Sequence, residues 1–149
     1  MSLRHNPAII MALKPRLTVD ELASLWLDKG LPPLLPKVHA HHVTLMWKPS
    51  DEKVRDAIAA FRWSPQDTQV VVNGWLSTDR CQAFAVHLRG RAAELCENTH
   101  PHITMATAIG VPPYYSNEML AKLDPEPLKN ETFFTLECDT YVKRSHRNG

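Results

Sequence analysis

The sequence predicts an α+β fold with a largely antiparallel sheet, on three observations. Segments rich in strand formers recur along the chain, and two of them lie close enough together to make a hairpin. The helical segments between them do not alternate strictly with strands, as a parallel β-α-β array requires. The 149 residues suit one domain spanning 1–149, either a whole protein or one domain of a longer enzyme. Two smaller domains would each bury too little apolar surface.

Ala8 to Leu13 is a short continuous apolar run, which reads as a buried strand. Thr18-Val19-Asp20-Glu21 is a capping box for a helix that carries Leu22, Leu25 and Trp26 at helical spacing and stops at Gly30. The prolines between Gly30 and Pro36 enforce a loop. His41 to Trp47 reads as a strand ended by Pro49, and Ser50 caps a helix through Phe61 with Val54, Ile58 and Phe61 on one face. Thr68–Leu76 and Gln82–Leu88, joined by a turn containing Thr78-Asp79-Arg80, form the hairpin. Ile103 to Ala108 is a further strand, and Val111-Pro112-Pro113 forces a loop. Ser116 caps a short helix over Asn117–Leu123, and Phe133 to Val142 is the last strand.

Composition excludes several classes of function. With 44% hydrophobic and 22% charged residues the chain is globular rather than disordered. A net charge of +1 makes it no general polyanion binder, so contact with nucleic acid has to come from a local basic patch. Cys81, Cys96 and Cys138 are odd in number and lack C-x-x-C spacing, which fits reduced thiols in the cytoplasm or nucleus better than a disulfide framework or structural zinc. No secretory signal is visible after Met1, and no apolar stretch approaches a bilayer span, so no membrane partner is expected.

Two His-x-Thr strand motifs carry the chemistry: His42-Val43-Thr44 and His102-Ile103-Thr104. Residues two apart on a strand share a face, so each motif presents an imidazole beside a hydroxyl. If the strands face each other, four side chains converge. Histidine, with an ordinary pKa of about 6.5, can supply both a base to activate water and an acid to protonate a departing sugar oxygen. Two threonine hydroxyls can hold the non-bridging oxygens of a phosphate as charge moves onto them. No metal and no cofactor is required by this set.

The paired motifs, His42-Val43-Thr44-Leu45 and His102-Ile103-Thr104-Met105, resemble the two-histidine (2H) phosphoesterase superfamily. His100-Pro101-His102-Ile103-Thr104-Met105-Ala106-Thr107, followed by Gly110-Val111-Pro112-Pro113 and Ser116-Asn117, is similar to its 2′,3′-cyclic-nucleotide 3′-phosphodiesterase and tRNA ligase branch. The resemblance implies a bilobal fold, two mainly antiparallel sheets with outer helices around a central cleft. It also implies hydrolysis of a 2′,3′-cyclic phosphate on RNA or a nucleotide to a 2′-phosphate, with roles in RNA processing and repair. His42 and His102 become the acid/base pair, with His102 favoured as base, and Thr44 and Thr104 the phosphate holders. The short interval between motifs implies trimmed lobes and a more open cleft. No P-loop is present, so no kinase domain lies in this chain.

Tyr114 and Tyr115, just after the second motif, are candidates to stack a base, though either could as readily plug the core beneath the loop. Trp47 and Lys48 are candidate substrate contacts at the end of the first strand; Arg80, Arg89, Arg91 and the tail from Lys143 to Arg147 are further candidate phosphate guides that double as ordinary surface charge. A metal cluster of His39, His41, His42, His100 and His102 is disfavoured, because alternation turns His41 away from His42 and leaves only His39 and His41 on the opposite face. A monomer acting on an RNA cyclic-phosphate end or cyclic nucleotide is the leading expectation. The competing ones are the same chemistry on ADP-ribose cyclic phosphate or 2′-5′ oligoadenylate, and a non-catalytic module that binds RNA ends.

Overall fold

Six antiparallel strands close into a ring in the computed structural model, which describes residues 7–60 and 63–145. In chain order the elements are β1 (Ala8–Pro15), α1 (Val19–Asp28), β2 (Lys37–Val38), β3 (Val43–Trp47), α2 (Asp51–Arg55), β4 (Gln69–Ser77), β5 (Cys81–Leu88), α3 (Gly90–Leu95), β6 (His102–Thr107), α4 (Tyr115–Lys122), β7 (Glu126–Pro127) and β8 (Phe134–Arg144). The strands run in the order β6-β3-β1-β8-β4-β5, and β5 pairs back onto β6. The short β2 adds to β6, and β7 to β4.

The mixed helix-and-strand class and its antiparallel pairing match the sequence. The sheet arrangement departs from the two-sheet, two-lobed form that the resemblance implies. Two non-local seams join the strands into one sheet: β1 lies along β8 from Ala8↔Arg144 to Pro15↔Cys138, and β5 lies along β6 from Cys81↔Thr107 to Ala85↔His102. Closure leaves no open sheet edge among the six, with the seam narrowest between β3 and β6, where Val43↔Ile103 is the pairing and the Glu97 N–H serves the Leu45 carbonyl.

Alternate residues of the ring form one apolar cluster, with Leu13, Val43, Val72, Phe84, Ile103 and Leu136 each drawn from a different strand. Leu22 and Trp26 of α1 and Ala92 of α3 join it. Trp26, fully buried, sets its ring 5.1 Å from Phe84 and donates its indole N–H to the Pro32 carbonyl at 2.6 Å, which ties the proline-rich loop down. The capping box of α1 forms as expected: Thr18 Oγ1 accepts from the Glu21 N–H and Glu21 Oε1 accepts from the Thr18 N–H.

Two helices, those expected after Ser50 and Ser116, differ from the sequence expectation. The helix capped by Ser50 widens after Arg55 into a π turn over Asp56–Ala60, so Ala57 is buried and Ile58 is 41% exposed; Phe61 lies outside the described residues. The wider turn rotates Ile58 off the face that Val54 sets. α3 starts at Gly90 with φ +55 and is anchored by the Asp67 carboxylate, which accepts the Arg91 N–H at 2.9 Å. α4 starts at Tyr115, so Ser116 lies within its first turn instead of capping it. That shift places its hydroxyl against β6.

Candidate active site

The register of β3 and β6 builds the site. Val43 pairs directly with Ile103, and both point into the apolar cluster. Continued by one residue toward His102, the antiparallel register sets Thr44 opposite His102, on the other face; toward Thr104 it breaks, because the Ala40 N–H donates to the Thr104 carbonyl and His42 lies just ahead of β3. Side chains directly opposite in such a pair have Cβ atoms about 5 Å apart. The two motifs are therefore brought together as neighbours on one sheet.

The same face continues outward on both sides. Ala12 of β1 pairs with Thr44 on one side and with Tyr141 of β8 on the other. Ala85 and Ala83 of β5 pair with His102 and Thr104. Alanines on both sides keep the strand surface low, and on the β5 side α4 packs over it.

His102 is buried, at 7% exposure, and both its nitrogens are engaged. Nδ1 lies 2.8 Å from the His100 carbonyl, which can only accept, so Nδ1 carries a proton. Nε2 lies 2.7 Å from Ser116 Oγ. Thr104 Oγ1 is also 2.7 Å from Ser116 Oγ, and the Pro113 carbonyl accepts from Ser116 at 2.8 Å. Burial is the main force lowering the His102 pKa, opposed by the bond to His100.

The His42 side is arranged differently from expectation. Between the β2–β6 pairing at Val38↔Ala106 and the β3–β6 pairing at Val43↔Ile103, the chain has two more residues than β6 does. The excess is absorbed at Ala40, which adopts φ +45, a region that costs a residue with a Cβ about 1 kcal/mol. Strict alternation therefore fails here. His41 does not point away from His42: their Nδ1 atoms are 2.9 Å apart and their rings 5.2 Å apart. His39 bonds Thr107 Oγ1 through Nε2 at 2.9 Å. Among the described residues no group of three or more His, Cys, Asp or Glu side chains is disposed to hold a metal ion.

Tyr141 packs edge-on against His41 at 5.1 Å and lies 6.3 Å from His42. Burial, and after it the charges of His41, Lys143, His102 and His39, push the His42 pKa down to about 4. His41 is lowered by burial, then by Lys14 and Lys143. Lys14 and Lys143 lie on this face because they follow Ala12 and Tyr141 by two residues on their strands. A cavity of about 370 Å³ opens beside His41, with Lys14, Arg16, Ala40 and Asp139 in its wall. Arg16 is paired with Asp139 at 3.0 Å.

The other candidates are dispersed. Tyr114 is 62% exposed just ahead of α4, and Tyr115 is half-buried with the Arg80 guanidinium 5.8 Å from its ring. Trp47, 59% exposed, lies three residues along β3 from Thr44, roughly 10 Å away at strand rise. Lys48 is 6.0 Å from the Trp47 ring, and no hydrogen bond or ring contact among the described residues joins either to the histidines. Arg91 pairs with Glu94. Tyr141, Lys14 and Ser116 were not singled out as site residues by the sequence. A lone lysine closing an apolar run and a tyrosine in the last strand are weak signals until β1 and β8 are known to be neighbours.

The model of the fungal tRNA ligase phosphodiesterase domain matches residues 46–142, well over half of the chain. That span contains the second motif, Ser116 and Tyr141, and begins just after His42 and Thr44. No curated protein and no solved structure matches the chain.

Proposed function

Because this chain belongs to the fungal tRNA ligase phosphodiesterase domain family, we propose that it hydrolyses the 2′,3′-cyclic phosphate at an RNA end to a 2′-phosphate without a metal ion. The observation that carries this reading is the pairing Val43↔Ile103, which brings the two His-x-Thr motifs side by side on neighbouring strands.

In the proposed reaction His102 acts as base. With Nδ1–H committed to the His100 carbonyl, neutral His102 keeps its lone pair on Nε2, and the attacking water approaches that nitrogen beside the Ser116 hydroxyl 2.7 Å from it. His102 takes a proton from water as the water oxygen bonds to phosphorus. The bond from phosphorus to O3′ breaks, and His42 donates a proton to that oxygen. Thr44 and Thr104 hold the non-bridging oxygens. Tyr141 offers a ring for the terminal base, and Lys14 and Lys143 supply positive charge for the adjoining RNA phosphates. The three unpaired thiols support a reducing compartment, cytoplasmic or nuclear.

Because His42 has to be protonated to act as acid, its depressed pKa sets the alkaline limit for the free enzyme. The alkaline limb of kcat/KM is expected well below pH 6.5, toward the value of about 4 held by His42. A bound phosphate anion favours the protonated form, so the same limb in kcat lies at higher pH. Lys143→Ala removes a charge that lowers His42 and moves the kcat/KM limb to higher pH. A limb unchanged in that variant shows that His42 is not the group being titrated.

The direct test is incubation with a cyclic-phosphate-ended oligonucleotide and with each nucleoside 2′,3′-cyclic phosphate, chelator present, with chromatography that separates 2′- from 3′-phosphate. A 2′-phosphate is the expected product. Preference for ADP-ribose cyclic phosphate or for linear 2′-5′ oligoadenylate displaces the substrate assignment. Tight end-binding without product displaces the enzyme.

A further inference from the structure

We propose that Ser116 is a positioning residue of this site, whose hydroxyl aims the His102 ring and Thr104 and favours the proton that His102 takes up. The proposal rests on the assignment of His102 to the reaction.

Ser116 is fully buried in the first turn of α4. Its own needs are met by donation to the Pro113 carbonyl three residues back, at 2.8 Å. Its contacts with His102 Nε2 and Thr104 Oγ1, both 2.7 Å, are thus additional and serve those partners. One serine thereby touches both chemistry-bearing residues of the second motif.

The frame around it is fixed. Pro112 and Pro113 set the turn into α4, in which the Tyr115 N–H donates to Pro112 and the Ser116 N–H to Pro113. Asn98 Nδ2 donates to Asn117 Oδ1 at 3.0 Å, and Asn98 Oδ1 accepts from the His100 N–H at 3.0 Å. The carbonyl that holds His102 Nδ1 and the hydroxyl that meets Nε2 are therefore tied together through Asn98 and Asn117. Ala83 and Ala85 under α4 leave the space for this approach.

Proton counting gives the coupling its sign. Four contacts of 2.7–2.8 Å each need one hydrogen: Nδ1 to His100, Nε2 to Ser116, Ser116 to Thr104 and Ser116 to Pro113. Neutral His102, Ser116 and Thr104 together supply three hydrogens, and protonated His102 supplies the fourth. With His102 neutral, Ser116 either gives its proton to Nε2 and abandons Pro113, or keeps Pro113 and turns a lone pair on Nε2. With His102 protonated, Ser116 accepts from Nε2 and from Thr104, donates to Pro113, and all four of these short contacts are filled, leaving unfilled only the longer 3.3 Å contact of Thr104 Oγ1 with the Pro113 carbonyl. The serine thus counteracts burial, which disfavours the charged ring. The titratable groups around His102 are His100 in its own loop and His42 on the β3 side, whereas Ala85 and Ser116, which face it from β5 and α4, carry no charge.

The test is the NMR titration of the His102 ring in wild type, Ser116→Ala and Ser116→Thr, with kcat, KM and thermal melting measured on each. In folded Ser116→Ala, His102 is expected to titrate lower by about half a pH unit or more. Its kcat falls about tenfold or more, short of the full effect of losing an acid/base group, and KM changes by less than about threefold. Ser116→Thr keeps the hydroxyl and restores the titration. Ser116→Cys, whose thiol bonds weakly, replaces the alanine variant if that one melts early. An unchanged titration in a folded variant overturns the proposal, as does a rise in kcat, which would mark Ser116 as an obstruction at Nε2. If wild type turns over no cyclic phosphate, the functional assignment fails, while the titration still reports whether Ser116 is coupled to His102.

Discussion

His42→Ala and His102→Ala are each expected to lower kcat for cyclic-phosphate hydrolysis by ~10²–10⁴-fold, the range found for a positioned acid or base. The two losses should not add, because acid and base act in one step. Thr44→Ala and Thr104→Ala should cost less, since each removes a single donor to the phosphate. The histidine variants should stay folded. His42 is only partly buried at the end of the β2–β3 bulge, and His102→Ala leaves the neighbouring Val43–Ile103 pair in the apolar cluster. Turnover by a folded His102→Ala protein at the wild-type rate would remove the assignment. Steady-state rates read beside circular dichroism decide it.

Acidification is expected to destabilise the protein by about 2–3 kcal/mol between pH 7 and pH 4.5 through His42 alone. The folded protein holds His42 at about 4, whereas the unfolded chain holds a histidine at about 6.5. Between those values the unfolded state binds more protons, so stability is fully present above pH 6.5 and falls as pH drops toward 4. His39, His41 and His102 are lowered too and act in the same direction. Asp67, whose carboxyl is held low by the backbone N–H groups of Arg91 and Ser64, adds its loss only below the ordinary carboxylate range near 3.8. Urea denaturation at the two pH values measures the difference, and His42→Asn, which does not titrate, should remove the His42 share. An equal loss in that variant would place the acid sensitivity elsewhere.

Local chemistry was legible wherever it depends on neighbours in sequence. The capping box at Thr18–Glu21, the hairpin of β4 and β5 and the two motif strands all follow from propensity, turn residues and period-two alternation. Alternation failed between Val38 and Val43, because it assumes a regular ladder and the pairing partner, β6, is two residues shorter over that stretch. The positive φ of Ala40 resolves the mismatch and turns His41 toward His42, a contact that no reading of His39-Ala40-His41-His42 in isolation contains. The helix after Ser50 went astray for a related reason: a 3.6-residue period cannot foresee a π turn.

By itself the sequence determined that Thr44, His102 and Thr104 lie on strands and share a face within each, because side-chain direction in a strand is a matter of parity; β3 begins at Val43 rather than His41, so parity does not reach His42. Tertiary structure alone decided what stands beside them. The β3–β6 pairing brings the two motifs side by side, the β1–β8 pairing brings Lys14, Tyr141 and Lys143 to the His41–His42 pair, and the packing of α4 brings Ser116 to His102. These are contacts between segments far apart along the chain. Their register is set by how the apolar faces of six strands close around one core, which no local pattern encodes.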